Sequence, residues 1–233
     1  AARHRYRAAS DHNMVRLLLA EPGDENYQEA ARLLSAWRRD GVLLTDGQPR
    51  FYLYRMRYLV DGSERTASGV IGAMEVRTLG GRVLAHEETM RKTKADRLKV
   101  LRATRANLDL IIGLTPAAGF GDLLEPAGVP RLSFEAERVH HSLYDVSDPD
   151  ATRAISAAVA SRPVAIADGH HRYTTSLQYR EQRAAGGPWD AIMAFIVPAR
   201  GGGLSVGPIH RVFPSVVFRT ERLSEVFDVT PGP

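Results

Sequence analysis

One short segment does most to limit the folds open to this chain: the apolar run 163–167, which Asp168 and Gly169 interrupt. A run of this length with β-branched residues is typical of a buried strand. Asp-Gly is a frequent turn dipeptide, and the residues that follow, 173–185, have the composition of a helix. The segment therefore predicts a strand, a tight turn and a helix, which favours an α/β protein.

Two histidines and an arginine, His170, His171 and Arg172, stand where that helix is predicted to begin. A helix N-terminus presents unpaired backbone N–H groups and the positive end of the helix dipole, so this turn suits an anion, most naturally phosphate. Asp168 would repel phosphate unless it binds a metal ion, caps the helix or accepts a proton. In the structural alternative, Asp168 and Gly169 form only a turn and a helix cap.

Two more clusters carry ionisable groups that suit the same chemistry. The first consists of His86, Glu87, Thr89, Lys94 and Arg97, and the second consists of His210 and Arg211. Cations hold phosphate oxygens, whereas a carboxylate binds Mg²⁺ or accepts the proton of an attacking hydroxyl, so this mixture favours phosphoryl transfer. We expect the three clusters to line one cleft. Position 90 is methionine, so the segment from His86 lacks the second histidine of a zinc-protease helix and is predicted to be a loop.

The composition excludes several other classes of protein. Cysteine is absent, which excludes thiol catalysis, disulfides and thiolate metal sites. No apolar run approaches the roughly 20 residues of a membrane span, and no P-loop sequence is present. The net charge of +4 is spread along the chain, which disfavours a nucleic-acid interface. His140 and His141 are predicted to face opposite sides of a strand, so we interpret them as structural.

The rest of the chain alternates predicted strands and helices, from which we expect an α/β fold with a mixed sheet and packed helices. Strands are predicted at 13–19, 51–60, 68–76, 82–85, 110–114 and 191–197, and as one bent or two short strands within 132–146. Helices are predicted at 27–39, 93–107 and 151–160. Gly69 and Gly72 inside a strand predict a bulge or a close backbone approach. We expect two portions, 1–146 and 147–233, either as separate units or intertwined in one domain.

The segment 167–177, ADGHHRYTTSL, resembles the signature of an uncharacterised bacterial and archaeal family, domain of unknown function 1015. Segments 86–89, 94–98 and 207–211 resemble the same family in the same order, and 13–17 resembles its N-terminal portion. These matches cover nearly the whole chain. Members of the family usually begin earlier, with a Pro-Pro-Tyr-Asp-type motif, and continue further, so the resemblance implies that both termini of this chain are clipped.

The Asp-Gly-His-His-Arg turn also resembles the phosphate-binding turn of free-serine kinases in the ParB/sulfiredoxin-like group. This resemblance implies a ParB/sulfiredoxin-like core around the strand ending at Asp168. It also implies phosphate transfer from ATP or ADP, with Mg²⁺, to a small hydroxylated metabolite such as serine. Asp168, Glu87 and His170 would be catalytic, and Asp168 would also bind the metal. Phosphate and nucleotide would be bound by Gly169, His171, Arg172, His86, Thr89, Lys94, Arg97, His210 and Arg211.

Two alternative functions stay open. A ParB-like module would sense a nucleotide without catalysis, although the sequence has no clear helix-turn-helix for a DNA clamp. A metal-dependent phosphodiesterase would hydrolyse a phosphate ester instead. The expected partners are a small-molecule substrate and a nucleotide; no membrane is expected, and a homo-oligomer is left open. The first ten residues lack the apolar core of a signal peptide, so a cytoplasmic location is the default expectation.

Overall fold

The computed structural model describes residues 2–18, 23–88 and 91–201, together with residues 203, 222, 224, 225 and 228. Within these residues, six α-helices and eight β-strands follow one another along the chain. The helices are α1 (Ala2–Ala9), α2 (Val15–Leu18), α3 (Asp24–Arg39), α4 (Arg91–Thr104), α5 (Pro149–Ser161) and α6 (His170–Glu181). The strands are β1 (Phe51–Val60), β2 (Ser63–Glu75), β3 (Val83–Leu84), β4 (Ile111–Thr115), β5 (Leu132–Ala136), β6 (Val139–Val146), β7 (Val164–Asp168) and β8 (Ala191–Pro198).

All eight of these strands belong to one sheet, whose spatial order is β3-β7-β4-β8-β2-β1-β6-β5. The pairs β3–β7 and β4–β8 are parallel, and the other pairs are antiparallel. The predicted α/β class with a mixed sheet is therefore confirmed. The strand that ends at Asp168, β7, lies second from one edge, between β3 and β4. Strands from both sides of residue 147 thus alternate over the first half of this order, from β3 to β8.

The turn between β1 and β2 fixes the register of the longest hairpin. Asp61 and Gly62 have φ of 50° and 75°, and positive φ at both positions is the geometry of a type I′ turn. Val60 therefore pairs directly with Ser63, and β2 begins at residue 63 instead of the predicted 68. Residues 63–66 are polar and exposed, so they lack the alternating pattern by which a half-buried strand is predicted.

The two glycines inside β2 lie where neighbouring side chains approach the backbone closely. A Cβ atom at Gly69 would lie 2.5 Å from the ring of Phe195, and one at Gly72 would lie 2.6 Å from the ring of Phe51. The pairing of β2 with β1 and with β8 runs through these positions without a shift in register. Close approach, and not a bulge, therefore accounts for both glycines.

The predicted strand at residues 13–19 is wrong, because the chain forms the short helix α2 there. Asn13 Oδ1 accepts the backbone N–H of Val15 at 3.0 Å. Such a local side-chain bond starts a helical turn and competes with extended backbone. Leu17 is fully buried in a cluster with three residues of α3, so the apolar residues of this segment find their partners as a helix.

Most other predicted elements are confirmed, with ends that shift by up to three residues. The helices predicted at 27–39, 93–107 and 151–160 correspond to α3, α4 and α5. The segment 132–146 forms two strands, β5 and β6, joined by Glu137 and Arg138, which both have positive φ. The helices then cover the sheet: α5 packs Ile155 against its core, α6 contacts β4 and β8, α4 packs on α6, and α3 packs on α4.

Candidate functional site

The helix after β7 begins three residues earlier than predicted, at His170, and ends at residue 181 instead of 185. Gly169 is its N-cap residue and has φ of 92°, in the left-handed region that glycine adopts most easily. A Cβ atom at Gly169 would lie 2.9 Å from Ile111 Cγ2 and 3.0 Å from Arg172 Nε. Gly169 alone thus connects β7 to α6. Both histidines of the motif and Arg172 therefore lie in the first turn of this helix.

No side chain caps α6, and the carboxylate of Asp168 pairs with Arg172 instead. The predicted alternative in which the Asp168 side chain caps this helix is therefore wrong, whereas the turn that the same alternative predicts is present, with Gly169 as the N-cap residue. Tyr173 N–H donates to the Gly169 carbonyl at 2.9 Å, which begins the hydrogen bonding of the helix. The backbone N–H groups ahead of Tyr173 are those that a helix leaves without intrahelical partners, at the positive end of its dipole.

His86 lies against this turn and is anchored by two bonds. Its Nδ1 is 2.8 Å from the carbonyl oxygen of Ile166, and its backbone N–H donates to His170 Nε2 at 3.3 Å. A carbonyl oxygen only accepts, so Nδ1 of His86 carries the proton of this bond. In the neutral ring, Nε2 of His86 is then an unprotonated nitrogen on an exposed side chain, suited to accepting a proton or binding a ligand.

His170 is almost completely buried, with 2% of its side chain exposed. Its ring meets that of His86 edge to face, with the centroids 4.5 Å apart. Because Nε2 accepts from a backbone amide, Nδ1 carries the proton in the neutral ring, and it faces Glu87 Oε2 at 3.4 Å. Burial lowers the pKa of His170, and the neighbouring His86 lowers it further, whereas Glu87 and Asp168 act in the opposite direction. His170 is therefore neutral at pH 7.

Arg172 is held inside the protein instead of projecting as a free cation. Its guanidinium pairs with the carboxylates of Asp168 and Asp109 and donates to the carbonyl of Leu110. The end of β7 is thereby tied to the residues that precede β4. The pairing also neutralises Asp168, whose side chain is 64% exposed, and so reduces the repulsion that its carboxylate would exert on a phosphate.

Asp109 is a member of this site that the sequence reasoning missed. It stands alone in the loop before β4, with no neighbouring motif, and it reaches Arg172 because β4 pairs with β7. The antiparallel order of these two strands brings the start of β4 beside the end of β7. An acidic residue just before a strand is too common to be singled out without that pairing.

The structure brings the cluster that contains His86 and Glu87 together with the Asp168–Arg172 turn, since His86 and Glu87 both contact His170. Arg97 lies further along, in α4, where it donates to the Leu18 carbonyl at 3.2 Å and lines a narrow cleft together with Arg172. Lys94 is described only as a backbone position in the first turn of α4. The remaining predicted positions, Thr89, His210 and Arg211, lie outside the described residues.

Residues 1–232 match a family described as Protein of unknown function (DUF1015). The chain belongs to the DUF1015 family. No curated protein and no solved structure matches this DUF1015 protein significantly.

The second histidine pair of this DUF1015 protein lies on the β5–β6 hairpin, away from the β7–α6 turn. His140 Nδ1 lies 2.7 Å from Glu135 and its Nε2 lies 3.1 Å from Ser133. His141 Nδ1 instead lies 2.6 Å from the hydroxyl of Tyr54, so the two rings have separate partners.

Two structural features are absent from the described part of the chain. Across residues 2–18, 23–88 and 91–201 and the isolated described positions, no three His, Asp or Glu side chains lie together in a way that could hold a metal ion. Nor does any helix described there have the length and apolar character needed to cross a membrane.

Proposed function

We propose that this DUF1015 protein is a nucleotide-dependent phosphotransferase that moves a phosphoryl group from ATP or ADP to the hydroxyl of a small metabolite such as serine. One observation carries the proposal: the uncapped N-terminus of α6 lies beside two imidazoles, His86 and His170, and two exposed carboxylates, Glu87 and Asp168. An anion-binding helix end next to proton-accepting groups is what phosphoryl transfer requires of a protein.

Phosphate binding would rest on the backbone of the β7–α6 turn. The N–H groups of the first turn of α6 offer donors and the positive end of the dipole. Gly169 has no side chain to keep a ligand away from those donors, and its conformation fixes their direction. His171, in the same turn, would add a third imidazole to this anion site, while Arg172 holds the turn through its pair with Asp168.

Glu87 is the residue best placed to accept the proton of the acceptor hydroxyl. Its carboxylate is 62% exposed and open to a substrate, while His170 Nδ1 faces it from the buried side. As the hydroxyl oxygen attacks the terminal phosphorus, its proton passes to Glu87. The bond from that phosphorus to the bridging oxygen breaks, and the shortened nucleotide leaves with the electron pair. The carboxylate of Asp168, an oxygen ligand of the type Mg²⁺ prefers, would hold the ion against the nucleotide phosphates and neutralise their charge.

The test combines binding with transfer. We expect ATP or ADP with Mg²⁺ to raise the midpoint of thermal unfolding, because a ligand at 100 times its dissociation constant stabilises the folded state by about 2.7 kcal/mol. Phosphorus NMR of a mixture with serine should then show a phosphate monoester. Glu87→Gln should keep nucleotide binding and lose at least ~100-fold in turnover, whereas the distant Glu64→Gln should keep both. Failure of every nucleotide to bind would refute the proposal.

The ion pair of Asp168 favours a second candidate, a nucleotide-sensing module without catalysis. Asp168 and Arg172 already satisfy each other, and a bound phosphate would compete for the same guanidinium. Exchange of one partner for the other would switch the turn between a closed and an open state. Nucleotide binding without phosphate transfer to serine or related alcohols, unchanged by Glu87→Gln, would support this second function over the first.

A further inference from the structure

A cavity of about 250 Å³ lies between α5 and the sheet and opens to the surface. Its walls are mainly apolar side chains, which come from the sheet (Phe51, Val70, Val164 and Ile196) and from α5 (Ile155 and Val159). Val164 is the first residue of β7, whereas the candidate phosphate site begins at the last residue of the same strand. The two sites share no residue.

Cations dominate the charged groups of this cavity. Arg77, Arg82 and Arg162 line it, together with a single carboxylate, Glu75. Arg77 pairs with Glu75 at 2.6 Å, and the guanidinium of Arg82 donates to the Ala160 carbonyl near the end of α5. These two arginines therefore have partners within the protein.

Arg162 is the exception among the three. Its side chain makes neither a hydrogen bond nor an ion pair with any residue in the described ranges, although it follows directly after α5. A role in holding α5 in place would show as a bond to one of its last carbonyls, which is the role that Arg82 fills. An unpartnered guanidinium beside an apolar cavity is suited to a planar anion that it can grip with two parallel hydrogen bonds.

We propose that this cavity binds a small amphiphilic carboxylate, with its apolar tail between α5 and the sheet and its carboxylate on Arg162. An apolar tail fills a volume that the side chains leave open and gains dispersion contacts with the walls. The surplus of cations over Glu75 attracts one negative charge and disfavours a cationic head group. A neutral ligand of the same shape would gain the tail contacts and lose the contribution of Arg162.

The proposal is tested by titration calorimetry with octanoate and, as the neutral probe of equal chain length, 1-octanol. We expect octanoate to bind at least tenfold more tightly than 1-octanol to the full chain. Arg162→Gln should lower the affinity for octanoate about tenfold, as expected for the loss of one charged hydrogen-bonding partner, and leave the affinity for 1-octanol unchanged. Arg153→Gln is the matched control, since it removes the same charge from an exposed position of α5 outside the cavity.

A cavity-filling change tests the position of the tail. Val159→Phe should weaken both probes, because the new ring occupies the space of the tail. Circular dichroism shows whether this variant keeps the fold. If Val159→Phe does not fold, the effect of Arg162→Gln on the affinity for octanoate is the test of the proposal. Absence of octanoate binding, equal affinity for the two probes, or equal effects of Arg162→Gln and Arg153→Gln would each overturn the proposal. Because no variant touches the β7–α6 turn, the result is independent of phosphate transfer.

Discussion

Arg172 has three partners within the protein, and this arrangement assigns it a measurable share of the stability. Lysine has the charge but not the planar fork that reaches Asp168, Asp109 and the Leu110 carbonyl together. We expect Arg172→Lys to lower the free energy of unfolding by about 1–3 kcal/mol, the usual net effect of losing hydrogen bonds to a charged group. Urea denaturation followed by circular dichroism measures this difference.

The control for Arg172 is Arg153→Lys, in the exposed pair with Asp150 on α5. Pairs of this kind contribute about 0–1 kcal/mol, so that variant should stay within about 0.5 kcal/mol of the wild-type protein. An Arg172→Lys protein as stable as this control would mean that its three bonds add nothing to the fold. That result would instead support the role that the sequence predicts for Arg172, a cation that binds phosphate.

The buried His170 makes the stability depend on pH in a predictable direction. Burial lowers its pKa in the folded protein, so below about pH 6.5, the ordinary pKa of histidine, the unfolded chain binds more protons than the folded one. The stabilisation is complete above that pH and is lost as the pH falls through the lowered pKa of the folded state. We expect the free energy of unfolding to decrease between pH 7 and pH 5 by up to about 1.4 kcal/mol for each unit of lowering.

The variant His170→Gln tests this assignment, because glutamine retains hydrogen-bonding groups but has no proton to gain. Urea unfolding at a series of pH values should give a flatter dependence for the variant below pH 6.5. Above pH 7 the free energies of unfolding of the two proteins should change with pH in the same way, since the imidazole of the wild-type protein is then neutral in both the folded and the unfolded state. The same slope in both proteins at low pH would show that another group is responsible.

At the scale of single elements, the β7–α6 turn depends on glycine for two separate reasons, conformation and space. Gly169 and Gly186 share a φ of 92°, but a Cβ atom at Gly169 would meet Ile111 and the Arg172 side chain, whereas one at Gly186 would meet nothing within 4 Å. Gly186→Ala should therefore cost about 1–2 kcal/mol for the left-handed conformation alone. Gly169→Ala should cost more than this by at least about 1 kcal/mol for the added crowding. Thermal and urea unfolding of the two variants separate the cost of the left-handed conformation from the cost of crowding.

The elements themselves could be predicted where local sequence decides them. Apolar runs such as 164–167 and 191–197 predict buried strands because so short an apolar segment is shielded from water most readily inside a sheet, and no residue of either run is exposed. Prediction is wrong at 13–19, where one asparagine bond starts a helix, and it misses 63–66, where a two-residue turn extends a polar strand. In both places a single local contact determines the backbone conformation. A prediction based on the composition of several residues does not detect such a contact.

At the scale of the whole molecule, the predictable part of the candidate site is the part that lies along one segment. The sequence places His170 and Arg172 at a helix start because strand, turn and helix are contiguous. The contact between His86 and His170 follows only from the parallel pairing of β3 with β7, and the pair of Arg172 with Asp109 only from β4. Strand order depends on packing of the complete chain. The sequence can therefore suggest from their chemistry that such residues share a site, but it cannot predict which of them are in contact.

The alternation of strands from both sides of residue 147 predicts that the sheet unfolds in one step. β4 lies between β7 and β8, and β2 pairs with β8, so neither portion of the chain forms the eight-stranded sheet without the other. The two tryptophans sample the two portions: Trp37 is buried in the α2–α3 cluster, and Trp189 lies just before β8, where its Nε1 donates to the Ala184 carbonyl. Each therefore reports on its own region through fluorescence.

We expect the variants Trp37→Phe and Trp189→Phe, each with one remaining tryptophan, to unfold with the same urea midpoint by fluorescence and by circular dichroism. Coincidence of the two probes is the test of a single cooperative transition. The midpoints of the two variants differ from each other only by the cost of each substitution, which the circular dichroism of the same protein measures directly. If Trp37 instead reports a transition at lower urea than circular dichroism does, the stack of α2, α3 and α4 unfolds as a separate unit. A lower midpoint for Trp189 would separate residues 147–233 from the rest and favour two independent portions over one interleaved sheet.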